Sequence, residues 1–373
     1  MSRAPQRAHS AHLTRLGAFA RPAGGAGAAA AQRHCRSLLE ALGFVVREQE
    51  FEYSVFGGAW AMPVLGVAAP LLGTAAVLAR RTHPWLAVVA AALFAGVLSA
   101  VAYAGGAGVL DFPAMRRRAT NLVATRGGAA PRLWLVAHID SKWQPVSMIV
   151  RMLGIVLTTV AIAALVIATI IGSPAATPIV AVLSLAAVPL MLSGVGARNH
   201  GTVDNASGVA TVLEAAELLP RELDVGILIT DAEELALAGA RAWLREWPGA
   251  AGLTGLALNC DSVDDAGPLV AMYSGARERS ATAVRVLAAA AAAEGEPLRT
   301  MRLLPGVLAD SVAFAGAGWQ TLTLSRGTIR TLGRIHTSRD TLDAMRGTGI
   351  PGAARVLARA AREIAAEHRG EQR

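Results

Sequence analysis

The chain has 373 residues, of which 53% are hydrophobic and only 17% are charged, and its mean hydropathy is +0.44. This composition excludes an intrinsically disordered protein, which combines low hydrophobicity with high charge. The net charge of +8 comes from scattered arginines that form no nucleic-acid-binding motif, so we expect a solvated basic face near lipid headgroups and no nucleic-acid partner.

Residues 1–58 are predicted to be the N-terminal part of a soluble domain. The low-complexity run at 22–31 leads into a helix that ends near Leu42, because Gly43 is a typical helix-terminating residue. Residues 44–53 follow as a strand. The arginines among the first 21 residues enclose no apolar stretch, so this region lacks the hydrophobic core of a signal peptide.

Two apolar blocks interrupt the soluble part of the chain. The first, residues 59–105, carries only Arg80 and Arg81, and the second, residues 148–196, carries only Arg151. Each block has room for two helices of about 20 residues, which span the roughly 30 Å hydrocarbon core of a bilayer. We therefore predict an integral membrane protein with two transmembrane hairpins, four helices in all, and the lipid bilayer as a partner.

Basic residues near the ends of these helices indicate the orientation in the membrane. Only Arg80 and Arg81 lie in the loops within the hairpins. By the positive-inside rule the soluble domain is predicted to be cytoplasmic. The basic residues on the side of the soluble domain are Arg116, Arg117, Arg118, Lys142, Arg151 and Arg198.

Residues 106–147 and 197–373 continue the soluble domain. Two predicted strands at 119–125 and 133–137 are joined by a short Gly-rich turn, so we expect them to pair antiparallel. Beyond residue 205, helices alternate with strands, which is typical of an α/β domain with a mixed, mostly parallel sheet. The predicted helices are 205–219, 235–247, 280–293 and 351–367, and the predicted strands are 225–229, 256–260, 269–273 and 320–324.

Acidic and imidazole side chains occupy five junctions between the predicted strands and helices. Such junctions gather at one edge of an α/β sheet. Each residue alone is explained by helix capping or by the helix dipole, but together they offer the nitrogen and oxygen ligands that hold zinc in catalytic sites. The residues are His138, Asp140, Asp204, Glu233, Glu234, Asp261 and His336.

The ordered set of motifs resembles the double-zinc aminopeptidases, of the aminopeptidase Y and bacterial leucyl aminopeptidase type. This family also includes glutamate carboxypeptidase and glutaminyl cyclase relatives. The resemblance covers nearly the whole soluble part. The matching segments are Ala-His-Ile-Asp-Ser at 137–141, Asp-Asn-Ala-Ser-Gly-Val-Ala at 204–210, Asp-Ala-Glu-Glu at 231–234, Asn-Cys-Asp at 259–261 and Ile-His-Thr at 335–337, with a weaker match at Asp310-Ser311.

The resemblance implies a three-layer, zinc-exopeptidase-like domain that holds two Zn²⁺ ions. It implies that Asp204 bridges both ions, that Glu233 is the general base and that Asp140 orients His138. The remaining ligands implied by the resemblance are His138, Glu234, Asp261 and His336. The departures from the family pattern are the two apolar insertions and the pair Asp264-Asp265.

The function implied is a membrane-anchored, zinc-dependent exopeptidase acting on peptide substrates, most simply an aminopeptidase. Two alternatives stay open: a glutaminyl-cyclase-like enzyme or other amide hydrolase, and a non-catalytic, receptor-like relative. A transporter is not expected, because apart from Arg151 the predicted spans lack ionisable groups that mark a substrate path.

Two further expectations concern Cys260 and the apolar blocks. The chain has only two cysteines, which favours a reducing compartment, and we expect Cys260 to pack as a small apolar residue rather than bind metal. We also expect both apolar blocks to leave the soluble domain at the sheet edge that carries His138.

Overall fold

The computed structural model describes residues 10–80, 115–127, 131–247, 255–303 and 307–371, together with isolated positions between 83 and 96. The chain forms two compact units. Unit 1 consists of residues 1–53, 116–143 and 197–373, and unit 2 consists of residues 54–115 and 144–196.

Unit 1 is built on an eight-stranded sheet. Its strands are β1 (Val45–Ser54), β2 (Arg116–Arg126), β3 (Leu133–His138), β4 (Val225–Thr230), β5 (Leu256–Val263), β6 (Leu269–Tyr273), β7 (Leu298–Arg302) and β8 (Gln320–Arg326). Their order across the sheet is β1-β2-β4-β3-β5-β8-β6-β7. The pairs β3–β4, β3–β5, β5–β8 and β6–β7 are parallel, and β2–β4 and β6–β8 are antiparallel. The predicted α/β class with a mixed, mostly parallel sheet is confirmed.

Helices cover the sheet on both faces. Every residue of β3 and β4 is buried, as in central strands that are covered on two sides. One group of helices includes Gly208–Leu218 packed against Ile350–Glu371, and another includes Ala238–Glu246 packed against Asp310–Gly316. The remaining α-helices of the described part of unit 1 are Ala11–Leu16, Ala26–Ala41, Ala281–Ala293 and Ile329–Arg334.

The prediction that β2 and β3 pair with each other is wrong. Strand β4 lies between them, pairing antiparallel with β2 and parallel with β3. The physical reason is that β4 is apolar and fully buried, so it needs a neighbour on each side. Strand β2 still runs opposite to β3. Because Arg126 pairs with Val225 and Leu122 with Ile229, β2 begins at the edge where His138 ends β3.

An aromatic cluster fills the core between the sheet and the helix Ala238–Glu246. Trp134 of β3 lies edge-on to Trp243, with 4.7 Å between ring centroids. The ring centroid of Trp243 is also 5.6 Å from that of Phe314 and 5.5 Å from that of Trp319. Gly226 of β4 lies directly against the Trp134 indole, so the absence of a side chain there makes room for the ring.

Unit 2 contains apolar helices that pack closely through small residues. A Cβ on Gly66 would lie 2.5 Å from the main-chain nitrogen of Met191, and one on Gly73 would lie 2.9 Å from Leu165 Cδ2. Small residues at such contacts allow close approach of helices in membranes. The helices are Phe56–Ala59, Ala61–Ala79, Met148–Ile170 and Ala176–Met191.

Two of the described helices, Ala61–Ala79 and Met148–Ile170, are long and apolar enough to cross a membrane. Ala176–Met191 has only 16 residues and is shorter than a typical span. The remaining predicted helix, at 85–103, lies outside the described residues apart from isolated positions. Four membrane spans are therefore not established.

We predict that Gly226→Ala destabilises unit 1. The added methyl would lie 2.4 Å from two carbons of the buried Trp134 indole, and overpacking of this kind costs about 1–3 kcal/mol. The measurement is the urea midpoint of unfolding. Gly316→Ala is the matched control, because a Cβ there meets nothing within 4 Å and the helix gains up to about 1 kcal/mol. Equal midpoints for the two variants would contradict the prediction.

Candidate metal centre

The seven predicted site residues meet at one edge of the sheet in unit 1. His138 ends β3, Glu233 and Glu234 follow β4, and Asp261 lies near the end of β5. These three strands are parallel neighbours, so their ends share an edge. Asp204 lies in the segment Thr202–Ser207, where its own backbone is non-helical, directly before the helix Gly208–Leu218. His336 follows the helix Ile329–Arg334.

Asp204 lies between two imidazole rings. Its Oδ1 is 3.2 Å from His138 Nε2, and its Oδ2 is 2.8 Å from His336 Nε2. Each carboxylate oxygen thus faces a different ring. This is the arrangement needed by a carboxylate that contacts two ions.

Two groups of three side chains are each close enough to hold a metal ion. One consists of His138, Glu233 and Asp261, and the other of Asp204, Glu234 and His336. In the second group His336 Nε2 is 3.1 Å from Glu234 Oε1. In the first, His138 Nε2 is 3.8 Å from Asp261 and 3.9 Å from Glu233, so the second group is the more compact.

The residues present fit bound cations. Glu234 Oε1 is buried and accepts no well-aligned hydrogen bond, although His336 Nε2 lies 3.1 Å away, and His336 Nδ1 is buried without a partner. Four carboxylates share this volume with two imidazoles, and burying like charges without compensation is costly. Nitrogen and oxygen donors of these types are the ligands of catalytic zinc.

The two adjacent glutamates have opposite protonation preferences. Burial raises the pKa of Glu233 well above its usual range, and the carboxylates of Glu234, Asp310 and Asp261 add to the shift although His138 opposes it. Burial also acts on Glu234, but His336 and Lys142 lower its pKa to about 2. The surroundings therefore shift the pKa values of these two neighbouring glutamates in opposite directions.

The histidine and the central aspartate stabilise each other's charged forms. Although burial opposes it, Glu233, Asp140 and Asp204 raise the pKa of His138 well above its usual range. Burial likewise opposes ionisation of Asp204, yet His138 and His336 hold its pKa well below the usual value. Positive charge is thus favourable next to the Asp204 carboxylate.

Asp140 holds both glutamates as well as His138. Its carboxylate accepts hydrogen bonds from the main-chain N–H groups of Glu233 and Glu234, at 3.1 and 3.2 Å. His138 Nδ1 lies 3.2 Å from the Asp140 carbonyl oxygen and 3.4 Å from its Oδ1. The loop after β3 and the loop after β4 are therefore fixed to one another.

Sequence reasoning missed two polar residues of the site and gave a third only as a weak motif match. Lys142 Nζ lies 2.5 Å from Glu234 Oε2. Asp340 accepts hydrogen bonds from main-chain N–H groups of the Asp204 loop. Asp310, only a weak motif match, contacts Thr230 Oγ1 at 2.5 Å, and its Oδ1 is buried without a partner. The only available signal was proximity: Lys142 follows Asp140 by two residues, and Asp340 follows His336 by four.

The pair Asp264-Asp265, which departs from the family pattern, has a structural role. Asp264 accepts hydrogen bonds from Thr331 and Arg334, at 2.6 and 2.8 Å, in the helix that precedes His336. Asp265 holds the main-chain N–H groups of Arg346 and Thr348. Within the described part of the chain, neither aspartate belongs to a metal-capable group.

Cys260 also lies outside both metal-capable groups of the described chain. Its side chain is fully buried. Burial raises the pKa of its thiol far above the usual value, with a hydrogen bond to Thr211 as a smaller opposing effect. A neutral, packed thiol agrees with the expectation that Cys260 is structural.

Several non-glycine residues next to the metal-binding side chains have left-handed backbone conformations. Such conformations cost about 1–3 kcal/mol each and persist where the surroundings enforce them. The loops of this edge are therefore held in place by their contacts rather than by backbone preference. The residues and their φ angles are Ala232 (57°), Ala236 (70°), Leu237 (58°), Ser262 (60°) and His336 (63°).

The profile of peptidase family M28 matches residues 121–361, which is more than half of the chain and includes all seven site residues. The chain belongs to peptidase family M28. The resemblance to double-zinc aminopeptidases seen in the sequence is thereby confirmed.

Solved structures of M28-like fold agree with this assignment. The zinc aminopeptidase BSAP from Bacillus subtilis has 13% identity and a TM-score of 0.57, with 95% of this chain and 94% of that chain covered. An aminopeptidase from Aneurinibacillus sp. strain AM-1 has 14% identity and a TM-score of 0.55, with 94% and 91% covered. The glutaminyl cyclase of Porphyromonas gingivalis has 16% identity and a TM-score of 0.58, with 95% and 97% covered. No curated protein matches the chain.

Two zinc ions are the cofactors of this M28 centre. The family and its zinc aminopeptidase neighbour imply zinc, and the described residues provide two groups able to hold an ion.

We predict that Asp204→Ala loses most of its zinc, because Asp204 lies between both imidazoles and no other carboxylate does so here. Zinc content after dialysis would be measured by atomic absorption. Asp265→Ala is the control, since this aspartate only holds a loop. Wild-type zinc content in Asp204→Ala would show that the aspartate is not a shared ligand.

Proposed function

We propose that the protein is a membrane-anchored, zinc-dependent exopeptidase, most simply an aminopeptidase. The observation that carries this is the central Asp204, whose two carboxylate oxygens face His138 and His336 separately, beside the buried side chain of Glu233. Membership of a peptidase family supports peptide substrates.

The ligand assignment follows the contacts of each side chain. His138 and Asp261 would hold one ion, Glu234 and His336 would hold the other, and Asp204 would bind both. When bound, two zinc ions polarise the scissile carbonyl and lower the pKa of water. Glu234 Oε1 lies 3.1 Å from His336 Nε2, whereas Glu233 Oε2 lies 3.9 Å from His138 Nε2, and the shorter contact supports giving only Glu234 the role of ligand.

Glu233 is proposed as the general base. Its Oε2 lies on the His138 side of the centre, at 3.9 Å from Nε2. It would accept the proton of the attacking water and deliver that proton to the leaving amine. Asp140 would keep the base in position by binding the main-chain N–H of Glu233 at 3.1 Å.

A glutaminyl-cyclase-like reaction is the second candidate. The compactness of the Asp204, Glu234 and His336 group favours one well-held ion, and glutaminyl cyclases share the fold. Here Glu233 would move a proton from the α-amine of an N-terminal glutamine to the departing ammonia. Aminoacyl amides and Gln-initiated peptides, assayed side by side for free amino acid and for ring formation, separate the two reactions. A chain inactive on both panels would indicate the non-catalytic alternative.

Membrane anchoring is proposed from the apolar surface of unit 2. Side chains on the helix Met148–Ile170 and its neighbours remain exposed although they are large and apolar. Contiguous apolar exposure on this scale is unusual for a protein in water. Exposed fractions reach 64% for Leu71, 56% for Leu153, 58% for Val156, 61% for Val160, 59% for Ile167, 60% for Val182 and 75% for Leu185.

The proposal also covers the number of membrane spans and their orientation. We propose two hairpins with four spans, the second helix of the first hairpin being the one expected from the sequence at 85–103. The excess of basic residues next to the hairpins on the side of the soluble domain supports a cytoplasmic unit 1. These basic residues, Arg116, Arg117, Arg118 and Arg198, are exposed.

Replacing Glu233 separates catalysis from metal binding. We expect Glu233→Gln to keep its zinc and to lower kcat by about 10²–10⁴-fold, because the amide removes the base but not a ligand. Activity on an aminoacyl-amide panel and zinc content are measured on the same preparation. Glu234→Gln is the comparison variant and should lose zinc together with activity. Near-normal hydrolysis by Glu233→Gln would refute the assignment of the base.

Val160→Arg tests whether the second hairpin is embedded. Val160 lies near the middle of the helix Met148–Ile170 and is 61% exposed. A charge at the centre of a membrane helix costs about 2.5–3.5 kcal/mol on insertion scales, so we expect less protein to resist alkaline extraction from membranes. Val45→Arg is the control, because Val45 is 74% exposed on β1 of unit 1. Unchanged extraction of Val160→Arg would argue against insertion.

A further inference from the structure

Arg21 is fully buried beside the metal-binding loops of unit 1. Its guanidinium donates hydrogen bonds only to main-chain carbonyl oxygens. Two of these belong to the loops that carry metal-binding side chains: Nε donates to Ile139 at 2.7 Å and Nη2 to Gly201 at 2.9 Å. The remaining acceptors, all bonded by Nη1, are Leu16, Phe19 at 3.3 Å and His200 at 2.7 Å.

These bonds connect three separate chain segments. Ile139 lies between His138 and Asp140, and Gly201 precedes Asp204 by three residues. The main chain of Arg21 adds a second connection, because its N–H donates to Ser141 Oγ at 2.9 Å and its carbonyl accepts from the Ser141 N–H at 2.8 Å. One residue of the N-terminal segment therefore joins the His138 loop to the Asp204 loop. It adds to the direct bonds between these loops, in which Ser141 Oγ donates to the Asn199 carbonyl and Asn199 Nδ2 donates to the Lys142 carbonyl, both at 2.9 Å.

Asp340 makes the corresponding connection to the His336 loop. Its carboxylate accepts hydrogen bonds from the main-chain N–H of Val203 at 2.7 Å and of Asp204 at 3.1 Å. Asp340 is fully buried and follows His336 by four residues. The central aspartate is thus held directly against the loop that presents its imidazole partner.

The two residues are costly to bury. Burial lowers the pKa of Arg21 to about 10, with the nearby Asp340 and Asp140 carboxylates opposing the shift. Buried charges are weak evidence for stability, since apolar residues often replace them without loss. Their hydrogen bonds go to the main chain of the loops that carry the metal ligands, which points to a role in the geometry of the centre.

We propose that Arg21 and Asp340 are positioning residues of the metal centre, which fix the His138, Asp204 and His336 loops at the separation that zinc requires. The inference rests on the proposed function for the identity of the ligands. Neither residue belongs to a metal-capable group of the described chain, so each would act through the main chain of the loops it binds.

The test measures zinc affinity in the full-length protein by competition with a chromogenic chelator, together with the visible spectrum of the Co²⁺-substituted protein. Asp340→Asn keeps one acceptor oxygen but turns an NH₂ group towards the second N–H. Residues that orient metal ligands change affinity by about 10–100-fold when mutated, and we expect a loss of this size with an altered Co²⁺ spectrum. Asp340→Glu, which retains the charge, gives the same comparison if Asp340→Asn does not fold.

Arg21→Lys is the second variant, since one ammonium group is too small to reach carbonyls on three segments. Its matched control is Arg126→Lys. Arg126 is also buried and also donates to main-chain carbonyls, those of Leu42, Leu219 and Pro220, but it ends β2 at the opposite edge of the sheet. Asp265→Asn is the control for Asp340→Asn, because its carboxylate likewise binds two main-chain N–H groups.

We expect both controls to lose stability while keeping wild-type zinc affinity and the wild-type Co²⁺ spectrum. Folded Arg21→Lys and Asp340→Asn with wild-type affinity and spectrum would overturn the proposal. Because these measurements need no turnover, that result would leave the proposed exopeptidase activity untouched. Conversely, wild-type protein that binds zinc but hydrolyses no peptide would refute the proposed activity alone.

Discussion

Four carboxylates and two imidazoles lie at one edge of the sheet in unit 1, and their ligand atoms form two groups, each within 4.8 Å. Burying this much negative charge costs free energy unless cations compensate it. The left-handed backbone of His336, the left-handed residues beside Glu233 and Asp261, and the buried charges of Arg21 and Asp340 all lie around this cluster. Much of the free-energy cost of strained backbone and buried charge in unit 1 is therefore concentrated around the metal-capable groups.

The adjacent pair Glu233 and Glu234 shows how one short loop directs two identical side chains towards different partners. Consecutive residues after a strand diverge, so one carboxylate faces His138 and the other faces His336. Their main-chain N–H groups are held by the same Asp140 carboxylate. The different roles proposed for the two glutamates thus depend on backbone geometry rather than on any difference between the two side chains.

Local patterns were sufficient for most strands and for the set of residues at the sheet edge, because parallel strands place their ends together. They did not reveal that β4 separates β2 from β3, since a short turn favours a hairpin and the competing burial of β4 is a tertiary effect. Arg21 belonged to a series of arginines that is typical of a solvated face, yet it is fully buried. The five carbonyl groups that its guanidinium binds come mostly from distant segments of the chain, and no local sequence pattern indicates them.

The division of unit 1 into three stretches of chain has a consequence for its biogenesis. His138 is synthesised before the second apolar block, whereas Asp204, Glu234 and His336 follow it. The proposed zinc ligands therefore cannot assemble until both blocks have been synthesised. A chain that stops before the second block contains only His138 of the five side chains proposed as ligands, so the order of synthesis alone delays completion of the proposed metal centre until the apolar segments have been made.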